Sequence, residues 1–267
     1  MKPMVFLLLS TALAVGQDVQ VRGKQIIDDA IAALGGDKFL RVENRIESGR
    51  AYSFFLNRLT GLSVARFYTR YLPVDPAKSS AEIAQQEYQA YGKEEDFFTL
   101  FRDDGAWEVT YRGPTEIDRD QVTRHRDSTM HNIFYILRNR MKEPGMVFES
   151  RGGDVVDNTP VNVVDIIDST NRVVTVYFHA TSKLPVKQSW VWRDPETRER
   201  NEEVTRFSRY RDVSGTQWPF QVHRERNGQK TYEMFADSVT INQPIDDIRF
   251  AKPTPDTRPF KGKPKKK

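Results

Sequence analysis

Cysteine is absent from the 267-residue sequence, and histidine occurs only four times. Without cysteine the chain forms no disulfide bond and lacks the lipid-attachment cysteine that anchors bacterial lipoproteins. A zinc site would have to be built from histidines and carboxylates alone, and no HExxH arrangement occurs. The sequence therefore predicts no metal ion and no other cofactor.

Recognisable catalytic arrangements are missing as well. There is no Gly-x-Ser-x-Gly elbow. The carboxylate pairs lie on a helix face or at turn-like ends, where aspartate commonly caps the backbone: Asp28-Asp29, Asp165/Asp168 and Asp246-Asp247. The histidines are interpreted as surface or capping residues: His125, His131, His179 and His223. We predict no catalytic residue and no enzymatic activity, since a hydrolase needs two such groups converging in a pocket.

Residues 1–16 have the pattern of a cleaved secretory signal. Lys2 precedes an apolar run, and small residues at Ala12-Leu13-Ala14 and Ala14-Val15-Gly16 fit a signal-peptidase site. The run is too short to span a bilayer, and no stop-transfer segment follows it, although a transmembrane anchor is the alternative. We therefore expect a secreted, soluble protein, with the bacterial periplasm as its destination.

The formal net charge of +4 is unevenly distributed. Segment 251–267, rich in proline and lysine, has seven basic residues against one acidic residue and so carries +6. Without this segment and Lys2, the body 17–250 carries −3, which argues against nucleic-acid binding. We expect a single domain over 17–250 and a disordered tail over 251–267, which serves solubility or contacts anionic lipid headgroups.

Most of the body has the pattern of strands joined by short polar turns. β-branched and aromatic residues concentrate at 44–56, 62–72, 82–91, 97–101, 106–111, 161–167, 173–179, 184–192, 204–210, 217–226 and 230–241. Segment 57–61 is interpreted as the first connection, and Arg151-Gly152-Gly153-Asp154 as a turn between two strands. Consecutive strands with connections this short pair antiparallel, so we predict one long meandering sheet.

Two helices interrupt this pattern. The first has an apolar stripe from Ile26 to Leu34 and ends at Gly35-Gly36. The second is predicted over Glu116–Met141, with the arginines 124, 126, 138 and 140 on its polar side. Its apolar face consists of Met130, Ile133, Phe134, Leu137 and Met141. Because this helix lies in the middle of a β protein, we predict that it crosses the concave face of the sheet.

An ordered series of short motifs matches a known family. The motifs are Ala33-Leu34-Gly35-Gly36, Gly49-Arg50, Tyr71-Leu72-Pro73 with Lys78, the DGAWE of 104–108, Leu184-Pro185-Val186, the YRDVSG of 210–215 and Trp218-Pro219-Phe220. From Gly23 to Pro253 the chain resembles the exported outer-membrane lipoprotein-sorting proteins of bacteria, which have a LolA-like fold. The resemblance implies an α+β fold: a large curved antiparallel β-sheet, an unclosed half-barrel, wrapped over helices.

In the carrier members of that family an apolar cavity takes the acyl chains of a lipoprotein. The resemblance therefore implies lipid acyl chains or lipoproteins as partners, and Arg50 is the nearest match to the family's gating arginine. Strand alternation places Trp190 and Trp192 on one face, opposite the apolar helix face. The predicted cavity and lid residues are Met130, Phe134, Leu137, Met141, Trp190, Trp192, Phe220 and Met234.

Two other interpretations stay open. Aromatic and methionine stripes are more often ordinary core, so the same residues fit a protein without a cavity. Other proteins with this architecture are periplasmic sensors that restrain a stress regulator, and the resemblance is equally compatible with a sensor or scaffold that binds protein partners.

Overall fold

One antiparallel sheet contains all thirteen strands of the described chain. The computed structural model describes residues 7–79, 82–194 and 196–259, with side chains from Asp18 onward. The strands are β1 Asn44–Phe55, β2 Arg58–Tyr71, β3 Gln85–Tyr91, β4 Phe97–Arg102, β5 Gly105–Thr110, β6 Gly113–Glu116, β7 Val147–Val156, β8 Thr159–Ile167, β9 Val173–His179, β10 Pro185–Arg193, β11 Arg200–Val213, β12 Thr216–Arg226 and β13 Gln229–Ile241.

Spatial order follows chain order except at one junction, where β1 pairs with β13. The first six strands therefore extend from β1 to one edge, and the last seven return to β1 from the opposite edge. The sheet is not closed, because β6 and β7 form its two edges. The predicted α+β class with an unclosed antiparallel sheet is confirmed.

The connection between β6 and β7 has to traverse the whole sheet, because it joins the two edges. We call residues 117–146 the crossover. It contains helices α3 (Arg119–Met130) and α4 (Ile133–Tyr135) and a π-helical turn (Ile136–Arg140). Its apolar residues enter the main core with side chains of the sheet and of the N-terminal helix α1 (Leu7–Leu34): Ile133, Phe134, Ile136 and Leu137 are all buried.

The single helix predicted over Glu116–Met141 is wrong in its continuity, since Glu116 belongs to β6 and the helix breaks at His131-Asn132. The break has a local cause. The Asn132 side chain accepts hydrogen bonds from the N–H groups of Phe134 and Tyr135, at 2.9 and 3.4 Å. Asn132 is therefore the N-cap of a new helix, and a cap residue has non-helical backbone angles, as its ψ of 125° shows.

The predicted turn at Arg151–Asp154 is also wrong, because these residues lie inside β7. The pairing with β8 shifts register between Ser150 and Gly152, and Gly152 has a φ of 86°. A bulge of this kind places glycine in the left-handed region, so its sequence looks like a turn. The β1–β2 connection is shorter than predicted: Leu56 and Asn57, with φ of 49° and 61°, make a two-residue hairpin.

The outer face of β2–β5 carries a second apolar cluster that the C-terminal segment covers. Tyr68, Tyr88, Leu100 and Trp107 are buried in it together with Phe250, the last residue of a 3₁₀ helix (Asp247–Phe250). Beyond Phe250, the Lys252 Nζ lies 5.3 Å from the centre of the Trp107 ring. The described part of the predicted tail, 251–259, thus begins against the sheet, while 260–267 lie outside the described residues.

Helix α1 (Leu7–Leu34) packs against β7, and α2 (Asp37–Leu40) follows it. The predicted signal therefore falls partly in 1–6, outside the described residues, and otherwise in the first part of α1. Within the described residues, no helix has the length and apolar character needed to cross a membrane.

Replacing Gly23 in α1 with alanine is expected to destabilise the protein by about 1–3 kcal/mol, as overpacking does in a well-packed interior. A Cβ there would lie 2.4 Å from the carbonyl oxygen of Phe148 on β7. In an exposed helix the same change would stabilise by about 1 kcal/mol, because alanine is the better helix former. Urea unfolding of this variant beside Gln20→Ala, an exposed change in the same helix, measures the effect; equal midpoints would contradict the packing of α1 on β7.

Candidate functional site: a cavity beneath the crossover

A cavity of about 320 Å³ lies between the inner face of the sheet and the crossover. Its volume is at the lower end of the range of about 300–1,000 Å³ for small-molecule sites. Strands β1, β2, β3, β11, β12 and β13 line it from one side, and α3, Asn132 and α4 line it from the other. Among the described residues that line the cavity, only Arg224 on β12 is exposed to solvent. Arg224 therefore marks the mouth of the cavity.

One wall of the cavity is apolar. Phe207, Trp218, Val222 and Met234 from β11–β13 face Phe134 of the crossover. The Phe134 ring centre lies 5.1 Å from that of Phe207 and 4.9 Å from that of Trp218. These aromatic contacts fix the position of α4, so the apolar wall is continuous with the main core.

The other wall is polar and comes from alternate positions of three neighbouring strands. The sheet register places Arg45, Thr69 and Glu87 in one row across β1, β2 and β3. The next row consists of Glu47, Phe67 and Gln89. Because alternate residues of a strand share a face, these side chains project together into the cavity.

Arg45 is held by partners on both walls. Its guanidinium lies 4.4 Å from the Trp218 ring centre and donates to Tyr71 Oη at 3.3 Å and to Thr69 Oγ1 at 3.2 Å. Its Nε lies 3.6 Å from Glu47 Oε2, too far for a hydrogen bond, and is a buried donor without a partner. The Arg45–Glu47 ion pair is therefore incomplete.

Glu47 is only 6% exposed, and no hydrogen bond from the described residues reaches its carboxylate. Burial raises its pKa, Arg45 opposes this effect, and the negative charge of Glu87 adds to it. Glu87 has hydrogen-bond donors of its own: Gln85 Nε2 at 2.6 Å and Gln89 Nε2 at 2.8 Å. The two carboxylates are thus near enough to interact electrostatically, and one of them lacks a donor.

His125, from α3, closes the polar wall opposite Glu87. Its ring stacks on Phe101 with 3.6 Å between ring centres, and its Nε2 lies 3.9 Å from Glu87 Oε2. Burial lowers the pKa of His125, although Glu87 acts in the opposite direction. The imidazole is therefore neutral at neutral pH and does not compensate the two carboxylates.

The predicted site residues are dispersed. Phe134 and Met234 line the cavity. Met130, Leu137 and Phe220 are buried, the last two in the main core, and Met141 and Trp190 pack beside that core. Trp192 is half-buried on β10, outside the lining. Arg50 is exposed and pairs with Phe235 on the outer face of the sheet, away from the cavity.

The polar wall was missed, although the sequence carries a signal for it. Arg45 and Glu47 alternate in one strand, and Gln85, Glu87 and Gln89 alternate in another. Polar residues at every second position usually face solvent, so the pattern indicates an outer face unless the strand pairing is known. The alternation identifies a shared face, but it does not show that this face is covered by a helix.

The histidines were predicted to be surface or capping residues, and His131 is the C-cap residue of α3, although it is 4% exposed and stacks on Trp190 at 4.0 Å. His125 differs from the prediction, because it lies inside α3 and its side chain is only 22% exposed. His179 does cap the backbone, accepting from the N–H groups of Thr181 and Ser182. Among the described residues, no group of three histidine or carboxylate side chains is arranged to hold a metal ion.

Comparison with known proteins gives similarity at the level of structure. No family model matches the sequence, and a search of curated proteins found no match. A DUF1329 family protein from Desulfovibrio piger superposes with a TM-score of 0.55 at 10% identity, over 86% of this chain and 97% of that one. A domain named for outer-membrane lipoprotein sorting, from Vibrio parahaemolyticus, gives 0.55 at 11% identity over the same shares.

A LolA superfamily protein from Nitrosomonas europaea superposes with a TM-score of 0.49 at 10% identity, again over 86% and 97% of the two chains. At such low sequence identity, structural similarity shows a shared fold and does not identify a ligand. The chain therefore shares its fold with the DUF1329 protein and the lipoprotein-sorting domain, in agreement with the LolA-like fold that its ordered motifs predict.

Proposed function

We propose that this chain is an exported, non-enzymatic binding protein that holds acyl chains of a lipid or lipoprotein in the cavity beneath the crossover. The observation that carries the proposal is the apolar wall of the cavity, formed by Phe134, Phe207, Trp218, Val222 and Met234. Each methylene buried there contributes about 0.8 kcal/mol, so one acyl chain outweighs several weak polar losses.

The crossover is divided into a fixed part and a part suited to act as a lid. The fixed part begins at Ile133, whose N–H donates to Gln188 Oε1 at 2.9 Å, and all of its α4 residues are buried. In α3, by contrast, Thr129 and Met130 are the buried residues. We propose that the part of α3 before Thr129 moves, that acyl chains then enter, and that release follows when a partner offers a better apolar site.

Filling the cavity from α3 tests this proposal. Ser128 lines the cavity, and Ser128→Trp is expected to weaken binding of a fluorescent fatty acid by at least about tenfold, because the indole occupies the ligand's space. Thr123→Trp places the same side chain on the exposed side of the same helix and should leave binding unchanged.

Leu137→Asp is unsuitable as a test of lipid binding, because Leu137 is fully buried and a carboxylate there would disrupt the core.

Native mass spectrometry of the mature protein, with lipid extraction, provides the independent measurement. We expect bound acyl species in near-stoichiometric amount in the wild type and in Thr123→Trp, and their loss in Ser128→Trp. A protein that carries no lipid and also refuses added fatty acid would overturn the proposal. The interior would then be core with a polar void, and a protein-binding role would take its place.

One observation favours that second role, a periplasmic sensor or scaffold. The tip of the β1–β2 hairpin exposes large apolar side chains that a protein partner would cover: Phe55, Leu56, Leu59 and Leu62 are each more than half exposed. Contact between the basic tail and anionic lipid headgroups stays a separate proposal, because 260–267 lie outside the described residues.

A further inference from the structure

The polar wall of the cavity has an unbalanced set of charges. It presents two carboxylates, Glu47 and Glu87, with one guanidinium, Arg45, and a neutral imidazole, His125. Arg224 adds a second positive charge at the mouth of the cavity and lowers the pKa of Glu47, but by less than Glu87 raises it. The enclosed part of the wall is therefore short of positive charge.

Arg45 does not remove this shortage. Its two terminal nitrogens donate to Tyr71 and Thr69, and its Nε stays 3.6 Å from Glu47, which leaves the Glu47 carboxylate without a hydrogen bond from Arg45. A buried carboxylate that accepts no hydrogen bond is costly to the folded state. A donor supplied by a ligand would offset that cost, and a cationic donor would do so most strongly.

Aromatic rings surround the space next to these carboxylates. Phe67 lies between Glu47 and Gln89 in the sheet register, and its ring centre is 5.7 Å from that of Tyr91. Tyr232 lines the same region from β13. Carboxylates beside aromatic faces form the usual environment for organic ammonium groups, which combine ion pairing with cation–π contact.

We propose that the cavity selects amphiphiles whose head is a protonated amine, bound between Glu47 and Glu87, with the apolar chain along Phe134, Phe207 and Met234. This inference rests on the proposed function, since it takes the cavity as the ligand site. An ammonium supplies the donors that Glu47 lacks and adds positive charge beside Glu87. Heads bearing phosphate or carboxylate would instead add negative charge beside Glu87 and bring no cation to Glu47.

Three probes with the same chain and different heads distinguish the inference from simple acyl binding. Dodecylamine, dodecanol and dodecanoate are titrated below their micelle concentrations into the full-length protein at neutral pH, with heat or fluorescent-probe displacement as the readout. We expect dodecylamine to bind at least about tenfold more tightly than the other two. Glu47→Gln and Glu87→Gln should each reduce this preference, and Glu108→Gln, an exposed change on β5, should leave it unchanged.

The other outcomes of the titrations contradict different parts of the proposal. Equal binding of the three probes would refute selection by the head while leaving the acyl-binding function in place. If none of them binds, the proposed function fails too. An amine preference that persists in both glutamine variants would place the cation elsewhere on the protein and refute the site. Thermal unfolding of each variant confirms that the comparison is made between folded proteins.

Discussion

Replacing Arg140 with alanine is expected to lower the free energy of unfolding by about 3–5 kcal/mol, the usual cost of removing one partner from a buried ion pair. Arg140 is 2% exposed. Its Nε and Nη2 donate to the two Glu143 oxygens at 2.7 and 3.0 Å, and Nη2 also donates to Asp168 Oδ2 at 3.0 Å. Without the guanidinium, two buried carboxylates would face each other.

Arg41→Ala is the matched control. Arg41 pairs with Asp37 in α2, but both side chains are more than three-quarters exposed, and exposed pairs contribute about 0–1 kcal/mol. Unfolding by urea, followed by circular dichroism, measures both variants. If Arg140→Ala were no less stable than Arg41→Ala, the buried network of the folded state would be incorrect.

The network also has a defined pH dependence. Burial alone would raise the pKa of Asp168, but hydrogen bonds from Thr170 and Arg140 outweigh it and hold that pKa well below its usual range. A lowered pKa in the folded state means that the stabilisation is fully present above the unfolded-state value of about 3.9 and is lost as the pH falls below it. The same contacts tie the end of the crossover to the β8–β9 turn, and Arg140 Nη1 also donates to the carbonyl of Met130, the last residue of α3, at 2.8 Å. This leaves the part of α3 before Thr129 as the part suited to move.

Replacing Phe250 with alanine is expected to cost about 3–5 kcal/mol, as is typical for a buried phenylalanine. Phe250 is 2% exposed, and the Arg70 guanidinium lies 4.3 Å from its ring centre. The ring closes the outer cluster formed by Tyr88 and Trp107, so its removal opens that cluster to water.

Ile248→Ala is the control that tests whether the loss of stability in Phe250→Ala comes from the buried position of Phe250. Ile248 belongs to the same 3₁₀ helix but is 58% exposed, and its truncation should change stability by no more than about 0.5 kcal/mol. Urea unfolding of the two variants gives the comparison. Identical midpoints would mean that the C-terminal segment does not cover the outer face of the sheet in solution.

Residue periodicity predicted eleven of the thirteen described strands and missed the two edge strands, β6 and β7. The alternation in 173–179 and 217–226 predicted β9 and β12 to within one residue, because side-chain direction in a strand has a strict period of two. Short turns then required antiparallel neighbours. The apolar face of Ile133, Phe134 and Leu137 was also predicted correctly, because helical spacing places these residues on one face whether or not the helix is continuous.

Which faces of the sheet are enclosed depends on strand pairing between distant parts of the chain. The β1–β13 pairing joins residues nearly two hundred positions apart and turns Arg45 and Glu47 toward the crossover, whereas a local pattern reads them as solvent-facing. Arg140 was predicted to lie on the polar side of its helix. It is buried instead, because its partner Asp168 lies in the connection between β8 and β9. A charged side chain is buried only where groups distant in the sequence compensate its charge. Its burial therefore cannot be predicted from the periodicity of neighbouring residues.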